Sequence, residues 1–310
     1  MSFNQSVLIC DQVAPILNDI LQKNGLKITY EPEITPDQIK EKIGTFDIVI
    51  VRSRTKLTKD IIEKADKCKI IARVGVGLDN IDVDAAKTKG IRVINAVEGA
   101  MNAVAELVLG LMLSLAREIP RADREIRNGK WLKKELTGTE LSGKYLGIVG
   151  LGNIGKRLAK HARALNMNII GYDVVPIADE FVREVGLIKT DLDTLISSAD
   201  FISFHVPFTN DTHHLVNSQR LGKMKKTVYL INTSRGEIID EEALYNALKD
   251  GKIAGAALDV FEKEPATGNK LATLPNVICT PHIGAQTKEA QTLAANVIAE
   301  KIIMILRGVI

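Results

Sequence analysis

Short apolar runs alternate with helix-like stretches along the first 95 residues of the chain. Each run is four or five residues long, and the stretches between the runs carry apolar residues at helical spacing. This alternation is typical of βα units whose parallel strands form one sheet with helices on both faces. The runs cover residues 7–10, 27–30, 48–51, 70–74 and 91–94, and the helix-like stretches cover 13–22, 37–43, 59–65 and 82–89.

The same alternation resumes at residue 141 and predicts a second domain. Its six predicted strands have one switch point, which is the arrangement of a dinucleotide-binding sheet. The strands cover residues 146–149, 167–173, 201–206, 228–231, 254–260 and 277–280, and helices are predicted from residue 179, over 191–197 and over 241–249.

Three further helices are predicted. Residues 103–116 are apolar nearly all round, so we expect this helix to lie between domains or in a subunit interface. Residues 122–134 are charged, with one tryptophan, Trp131, and indicate a solvated helix. The last helix, 290–306, is expected to cross back to the first domain and make it discontinuous. The predicted fold is α/β, with a discontinuous flavodoxin-like domain (1–98 plus 287–310) and a Rossmann domain (99–286), both doubly wound parallel sheets.

Composition narrows the functional classes. The chain has 310 residues, 45% of them apolar, and a net charge of +3 with Lys and Arg scattered among Asp and Glu. Hence we expect no nucleic-acid partner, no membrane partner and a cytoplasmic location. Cys10, Cys68 and Cys279 are far apart in apolar surroundings, which predicts buried free thiols and no metal site.

Residues 146–155 read L-G-I-V-G-L-G-N-I-G, a strand that enters a helix through G-x-G-x-x-G. Gly150 permits the tight turn, Gly152 lets the backbone approach a pyrophosphate, and Gly155 lets the helix pack on the sheet. Asp173 ends the next strand, roughly 20 residues on, where a carboxylate accepts hydrogen bonds from a ribose diol and repels a 2′-phosphate. Since no cation follows Asp173 directly, the predicted cofactor is NAD.

Three polar residues follow strand ends of the second sheet, where ligands of open α/β sheets bind: Arg235, Glu264 and His282. Histidine accepts protons near neutral pH, and a carboxylate on its other nitrogen orients it. Arginine matches a substrate carboxylate and the neighbouring oxygen. Oxidation of a 2-hydroxy acid requires such a set.

The other histidines are given no proton chemistry. His161 lies on the predicted motif helix, and the neighbours His213 and His214 make a poor metal pair because adjacent strand residues point to opposite faces. His205 precedes Pro207 at a strand end and is expected to line the cofactor site.

Four motifs identify a resemblance from end to end to the D-isomer-specific 2-hydroxyacid dehydrogenase family. They are V-G-L-G-N-I-G with Asp173, N-T-S-R-G-E-I-I-D-E, A-L-D-V-F-E-K-E-P and T-P-H-I-G-A. The resemblance implies Arg235, Glu264 and His282 as catalytic residues. The predicted NAD site comprises Val76, Gly150, Gly152, Asn153, Ile154, Gly155, Asp173, His205, Val206, Pro207, Thr233, Ser234, Arg235, Asp259, His282, Gly284 and Ala285. Val76 and Val206 stand where some relatives carry threonine, so a side-chain hydrogen bond is absent there.

Substrate choice is expected to rest on the first domain. Arg52 and Arg54, with Ser53 between them, leave a strand end on one face as paired cations for a phosphate. The backbone of Gly75, Val76 and Gly77 is predicted to hold the carboxylate, together with Arg235 and His282.

The family group with such arginines oxidises D-3-phosphoglycerate to 3-phosphohydroxypyruvate in serine biosynthesis, and this is the expected function. A glyoxylate or hydroxypyruvate reductase, or a non-catalytic NAD-binding regulator, are the alternatives. Because many of these dehydrogenases carry a further C-terminal regulatory domain and this chain stops at Ile310, serine feedback through such a domain is not expected. Homodimerisation through the cofactor domain is also expected.

Overall fold

The computed structural model describes residues 3–309, which divide into two compact units. The first unit comprises Met1–Met101 and Ala285–Ile310, and the second comprises Asn102–Gly284. The predicted boundaries, at 98/99 and 286/287, differ from these divisions by two or three residues.

The first unit contains a five-stranded parallel sheet in the order β2-β1-β3-β4-β5. This is the strand order of flavodoxin-like folds. The strands are β1 Ser6–Ile9, β2 Lys27–Tyr30, β3 Ile48–Val51, β4 Ile70–Arg73 and β5 Arg92–Asn95, and the helices between them are α1 Ile16–Lys23, α2 Pro36–Lys42, α3 Lys59–Ile62 and α4 Val83–Thr88.

Side chains of β1 alternate between two hydrophobic cores, one on each face of the sheet. Val7 and Ile9 enter one core, and Leu8 enters the other. Successive residues of a strand point to opposite faces, so a strand covered by helices on both sides is apolar at every position. This explains the continuous apolar runs of the sequence.

The second unit contains a seven-stranded parallel sheet in the order β12-β11-β10-β9-β6-β7-β8. Six of these strands were predicted. The seventh, β8, has two residues, too few for a periodic pattern. The strands are β6 Tyr145–Val149, β7 Asn168–Tyr172, β8 Ile188–Lys189, β9 Phe201–Phe204, β10 Tyr229–Asn232, β11 Gly255–Leu258 and β12 Val277–Cys279. The helices are α5 Met101–Ala116, α6 Ile119–Arg127, α7 Asn153–Ala164, α8 Asp179–Val185, α9 Leu192–Ser198, α10 Ser218–Leu221 and α11 Glu241–Lys249.

Helix α5 packs on the sheet of the second unit. Val108, Leu111 and Met112 lie in one core cluster with Leu146 and Ile148 of β6. The structure therefore places this apolar helix against its own domain, where it was predicted between domains or in an interface. Helix α6 covers Ile119–Arg127, so it begins and ends earlier in the chain than the predicted 122–134 helix. Trp131 lies after the helix and is 78% exposed.

The last helix, α12 (Lys288–Leu306), packs within the first unit against α1 and β4. Ala295, Ile298 and Ile302 are fully buried in the core that also contains Val7 and Ile9. The side chain of Thr287 accepts a hydrogen bond from the backbone N–H of Ala290 and begins the helix.

Two further predictions concern the cysteines and the membrane. Cys10 and Cys68 are buried and Cys279 is half-buried, and all three thiols are free. Burial raises the pKa of Cys10 to about 12 and that of Cys68 to about 11. Within residues 3–309, no helix combines the length and the apolar character needed to cross a bilayer.

Candidate active site

The glycine-rich turn joins β6 to α7. Gly150 has φ +93°, and a Cβ there would lie 2.6 Å from the carbonyl oxygen of His205. A Cβ on Gly155 would lie 2.1 Å from the carbonyl oxygen of Gly150. A Cβ on Gly152 would instead meet nothing within 4 Å, so this backbone borders open space.

Helix α7 starts at that open space. Its N-cap is Gly152, and no side chain caps the helix. The free N–H groups of a first turn and the helix dipole favour an anion. The turn therefore fits the pyrophosphate of a dinucleotide, with Asn153 and Ile154 in the first turn beside it.

Asp173 lies directly after β7 and faces the turn. Its carboxylate accepts hydrogen bonds from the backbone N–H groups of Leu151 at 2.6 Å and Val175 at 2.9 Å. Val174 and Val175 are 85% and 64% exposed and bring no cation to this edge. The position and the charge suit a ribose diol, as the sequence predicts.

His205 follows β9 and lies beside the glycine turn, with its carbonyl oxygen next to Gly150. Its N–H donates to the carbonyl of Val149 at 2.7 Å, and its Nε2 lies 2.9 Å from Oγ of Ser203. Burial lowers the pKa of His205 to about 4, so the ring is neutral near pH 7. Its predicted place beside the cofactor, with Val206 and Pro207, stays a prediction.

The turn after β10 carries Thr233, Ser234 and Arg235. Oγ1 of Thr233 is buried, and among the described residues nothing hydrogen-bonds to it. A buried hydroxyl without a partner indicates a missing ligand or water. Ser234 is anchored differently, because its Oγ donates to Oδ1 of the buried Asn232 at 2.8 Å.

Glu264 and His282 form a direct pair. Nδ1 of His282 lies 2.8 Å from Oε2 of Glu264, whose other oxygen accepts from the backbone N–H of Phe261 at 3.2 Å. This contact leaves Nε2 of His282 for a substrate. The two residues border a cavity of about 550 Å³, which Phe261, Pro265 and Pro281 also line.

Arg235 lies next to the segment that carries Glu264. A Cβ on the following Gly236 would lie 1.9 Å from the carbonyl carbon of Phe261, so only glycine permits this approach. Nη1 of Arg235 donates to the carbonyl of Ser234 at 2.6 Å. Three residues that are distant in sequence thus converge on strand ends of one sheet.

Asp259 is fully buried after β11, and its carboxylate contacts the 280–284 loop. It was predicted to line the NAD site. The same loop contains Gly284, whose Cβ would lie 3.2 Å from Oδ2 of Asp259. Sequence reasoning missed this loop-holding contact, since the motifs A-L-D-V and T-P-H-I-G-A are separated by about 20 residues.

In the first unit, the guanidinium of Arg54 donates to backbone carbonyls, although the side chain is 46% exposed. Nη2 donates to the carbonyls of Cys10 and Pro32, both at 2.6 Å, and Nη1 donates to the carbonyl of Ile34 at 3.1 Å. Nε lies 3.3 Å from Oδ1 of Asp11, which is 3% exposed. The two arginines of the predicted phosphate site therefore differ in how many hydrogen bonds they make within the protein.

Arg52 makes fewer side-chain hydrogen bonds than Arg54, but it is half-buried. Its backbone N–H donates to Asp11, and its Nη2 donates to Oε1 of Gln286 at 2.9 Å. Partial burial lowers the pKa of Arg52 below its usual value without removing its charge. Ser53, beside it, is exposed.

A third arginine, Arg73, lies beside this strand end and was not predicted. Its Nε donates to the carbonyl of Arg52 at 3.3 Å, and its guanidinium would meet a Cβ on Gly75 at 2.7 Å. The signal in the sequence is its position at the end of an apolar run directly before V-G-V-G. Val76 is held by Asn95, whose side-chain amide donates to its carbonyl.

The remaining histidines are His161, His213 and His214. His213 and His214 stack at 4.0 Å, and Nε2 of His214 lies 2.9 Å from Oε1 of Glu262. His161 lies on α7, and its buried Nε2 has no hydrogen-bond partner among the described residues. In that same part of the chain, no cluster of three His, Cys, Asp or Glu side chains could hold a metal ion.

Comparisons with known proteins agree with this geometry. A profile described as D-isomer specific 2-hydroxyacid dehydrogenase, NAD binding domain, matches residues 109–284. D-3-phosphoglycerate dehydrogenase of Methanocaldococcus jannaschii is 48% identical over 94% of this chain and 57% of its own length. Hydroxypyruvate reductase of Thermotoga maritima is 49% identical over 91% of this chain and 92% of its own length.

A solved structure is similar over almost the whole chain. It is D-lactate dehydrogenase from Aquifex aeolicus, complexed with NAD and lactic acid, with a TM-score of 0.84 and 32% identity over 98% of this chain and 96% of that one. The chain spans just over half the length of the first curated relatives it matches, 57% for two of them. The second unit thus has the sequence and the turn geometry of an NAD-binding domain.

Proposed function

We propose that this chain, which belongs to the D-isomer-specific 2-hydroxyacid dehydrogenase family, oxidises a D-2-hydroxy acid to the 2-keto acid with NAD. The observation that carries the proposal is the 2.8 Å contact between Nδ1 of His282 and Glu264. NAD bound at the glycine turn would supply the hydride acceptor. The protein's own residues then have to bind the acid and take the hydroxyl proton.

His282 is the proposed base. Glu264 occupies Nδ1, so Nε2 accepts the proton of the substrate hydroxyl and becomes part of an imidazolium. The carboxylate of Glu264 stabilises that positive charge and holds the ring in place. Arg235 is proposed to pair with the substrate carboxylate and the reacting oxygen, because its planar fork suits two oxygens.

The proposed NAD contacts follow the glycine turn, Asp173 and the turn after β10. The buried, unpartnered hydroxyl of Thr233 supports a ligand at this place. The NAD contacts expected of Val76 and Ala285 stay predictions.

D-3-phosphoglycerate is the proposed substrate, which would place the enzyme in serine biosynthesis in the cytoplasm. Support comes from the 48% identity to a D-3-phosphoglycerate dehydrogenase and from Arg52, a half-buried arginine directly after β3 whose guanidinium donates to Gln286. Arg73 is proposed to add to the positive charge there. The backbone of Gly75 and Gly77 is proposed to bind the carboxylate end.

A hydroxypyruvate reductase is the second candidate. The similar Thermotoga maritima protein matches this chain over 92% of its own length, and Arg54, half of the predicted phosphate site, is engaged by three carbonyls. A smaller substrate without phosphate needs no second free arginine.

A substrate panel distinguishes the candidates. NADH formation from D-3-phosphoglycerate, D-glycerate and D-lactate is compared with NADH consumption by hydroxypyruvate and glyoxylate. A kcat/KM at least about tenfold higher for D-3-phosphoglycerate than for any other acid of the panel supports the first candidate. Preference for hydroxypyruvate supports the second, and no turnover of any acid supports a non-catalytic regulator.

The variant His282→Ala tests the base. We expect turnover to fall to background while NADH still binds, because the pyrophosphate and ribose contacts lie elsewhere in the second unit. A wild-type rate in His282→Ala would refute the assignment.

We also propose a homodimer through the second unit. Exposed apolar side chains on and after α5 and α6 support it: Leu113 at 41%, Ile119 at 50%, Ile126 at 54% and Trp131 at 78%. A monomeric mass in sedimentation equilibrium would contradict this proposal.

A further inference from the structure

Gln286 is an exposed residue directly before Thr287, the N-cap of α12. Its Oε1 accepts two hydrogen bonds, from Nη2 of Arg52 at 2.9 Å and from Nε2 of Gln291 at 2.8 Å. Two donors on one atom fix the orientation of the amide, because a flipped amide would place its own NH2 group against both of them. Oε1 is thus an acceptor shared by the residue after β3 and the first turn of α12, which both belong to the first unit.

The backbone of Arg52 is also fixed. Its N–H donates to the carboxylate of the buried Asp11, and its carbonyl accepts a hydrogen bond from Nδ2 of Asn80 at 3.0 Å. The side chain of Arg52 is therefore held at its base by the backbone contacts and at its end by Gln286. An arginine side chain is otherwise rich in rotamers, so one that is already ordered loses less freedom when a ligand binds.

Arg52 carries a charge that the protein leaves without an ion pair. Within residues 3–309, no carboxylate forms an ion pair with its guanidinium, and the carboxylate of Asp11 lies 3.3 Å from Nε of Arg54 instead. Arg52 is half-buried, and a partly desolvated charge is costly unless an opposite charge approaches it. The donors of Arg52 that Gln286 does not occupy are therefore suited to an anion.

We infer that Gln286 is a specificity-determining residue that keeps the guanidinium of Arg52 ordered and charged for a substrate phosphate, an inference that rests on the proposed phosphorylated substrate. A glutamate at this position would accept the same hydrogen bond, but it would also pair with Arg52 and repel a phosphate dianion. The neutral amide fixes the guanidinium without cancelling its charge. Gln286 acts through Arg52 and is a positioning residue.

The variant Gln286→Glu tests the inference with 3-phosphohydroxypyruvate and hydroxypyruvate, which differ only in the phosphate group. NADH consumption measures both reductions. We expect KM for the phosphorylated acid to rise about 10- to 30-fold, since a negative charge is added in contact with Arg52 at a half-exposed place. For hydroxypyruvate, kcat/KM is expected to stay within about threefold of the wild type, because this acid has no phosphate to repel. An equal loss for both acids overturns the inference.

Two further variants separate the contact from overall charge. Gln286→Met keeps the length of the side chain and removes the acceptor, so KM for 3-phosphohydroxypyruvate is expected to rise about 3- to 10-fold. Lys288→Gln is the matched charge control, because it makes the same change in net charge as Gln286→Glu at an exposed residue two positions later. We expect its KM within about twofold of the wild type, since salt screens charges that are not in contact. A rise as large as that in Gln286→Glu would overturn the role of the Arg52 contact.

Inorganic phosphate is a probe that needs no turnover. Its Kd for the protein saturated with NADH, measured by calorimetry, is expected to rise in Gln286→Glu and Gln286→Met by about the same factors as KM. Absence of phosphate binding in the wild type, or an equal Kd in the wild type and Gln286→Glu, overturns the inference. A wild-type protein that binds phosphate but does not oxidise D-3-phosphoglycerate overturns the proposed substrate instead, and the titrations still decide whether Gln286 controls the anion at Arg52.

Discussion

The variant Glu264→Gln measures what the carboxylate beside His282 contributes to turnover. Glutamine keeps an acceptor at 2.8 Å from Nδ1 and removes the negative charge. Two unit charges about 4 Å apart interact by about 1 kcal/mol in water and about 4 kcal/mol near a protein surface. The side chains of His282 and Glu264 are 52% and 38% exposed, so solvent screening favours the lower part of that range, about 1–2 kcal/mol.

In the proposed mechanism His282 gains a positive charge when it takes the substrate proton, so this energy enters the rate. We therefore expect kcat to fall about 5- to 30-fold, at about 1.4 kcal/mol for each factor of ten, with the Kd for NADH unchanged. Initial rates of NADH formation at saturating substrate, together with NADH fluorescence titration, measure the two quantities.

Glu262→Gln is the matched control for Glu264→Gln. Glu262 lies two residues earlier, and its carboxylate contacts His214 at 2.9 Å instead of His282. We expect kcat within about twofold of the wild type, as is usual for substitutions away from a site. If both variants have the wild-type kcat, or if Glu264→Gln weakens NADH binding as much as it lowers kcat, the reasoning about charge at His282 is wrong.

Three other predictions concern the glycine turn, a buried histidine and the arginines. Gly155→Ala is expected to abolish NADH binding in a fluorescence titration, because its Cβ would lie 2.1 Å from the carbonyl oxygen of Gly150. His205 has a pKa of about 4 in the folded protein against 6.5 for a free histidine, so the unfolded chain takes up its proton first as the pH falls. The contribution of the neutral His205 ring to the free energy of unfolding is therefore fully present above pH 6.5 and decreases by up to about 3 kcal/mol toward pH 4. Denaturant unfolding of His205→Gln should lack this decrease. Arg54→Lys is expected to lower the free energy of unfolding by about 1–3 kcal/mol, since one ammonium cannot serve three carbonyls, whereas Arg52→Lys should raise KM for D-3-phosphoglycerate with little change in melting temperature.

The alternation of apolar runs predicted both sheets because parallel strands covered on both faces are apolar at every position. β3, with all four residues buried, shows this directly. The pattern missed β8, whose two residues, Ile188 and Lys189, are both exposed. It also shifted α6, which begins at Ile119 after Glu118 in the left-handed region, a backbone feature that charge patterning does not report.

The apolar helix 103–116 shows a second limit. Its composition correctly indicated burial on several sides, but composition does not say which surface covers it. Met112 and Leu115 pack on the sheet of the same unit, whereas Leu113 is exposed. The residues predicted that the helix is buried, whereas the surface that buries it depends on how the helix packs in the folded protein.

The arginines show the same limit at the candidate site. A spacing of two residues predicted that Arg52 and Arg54 leave the strand end on one face, but it carries no information on the carbonyl groups of residues 10, 32 and 34 that contact Arg54. Folding brings those three carbonyl groups to the guanidinium of Arg54, and Arg52 does not contact them. Asp259 is the parallel case in the second unit, where the acidic residue was recognised but its donors from the 280–284 loop were not. In both units the sequence identifies the charged side chains. Hydrogen bonds to residues distant in sequence decide whether such a side chain faces a ligand or instead holds the backbone of a ligand-binding loop.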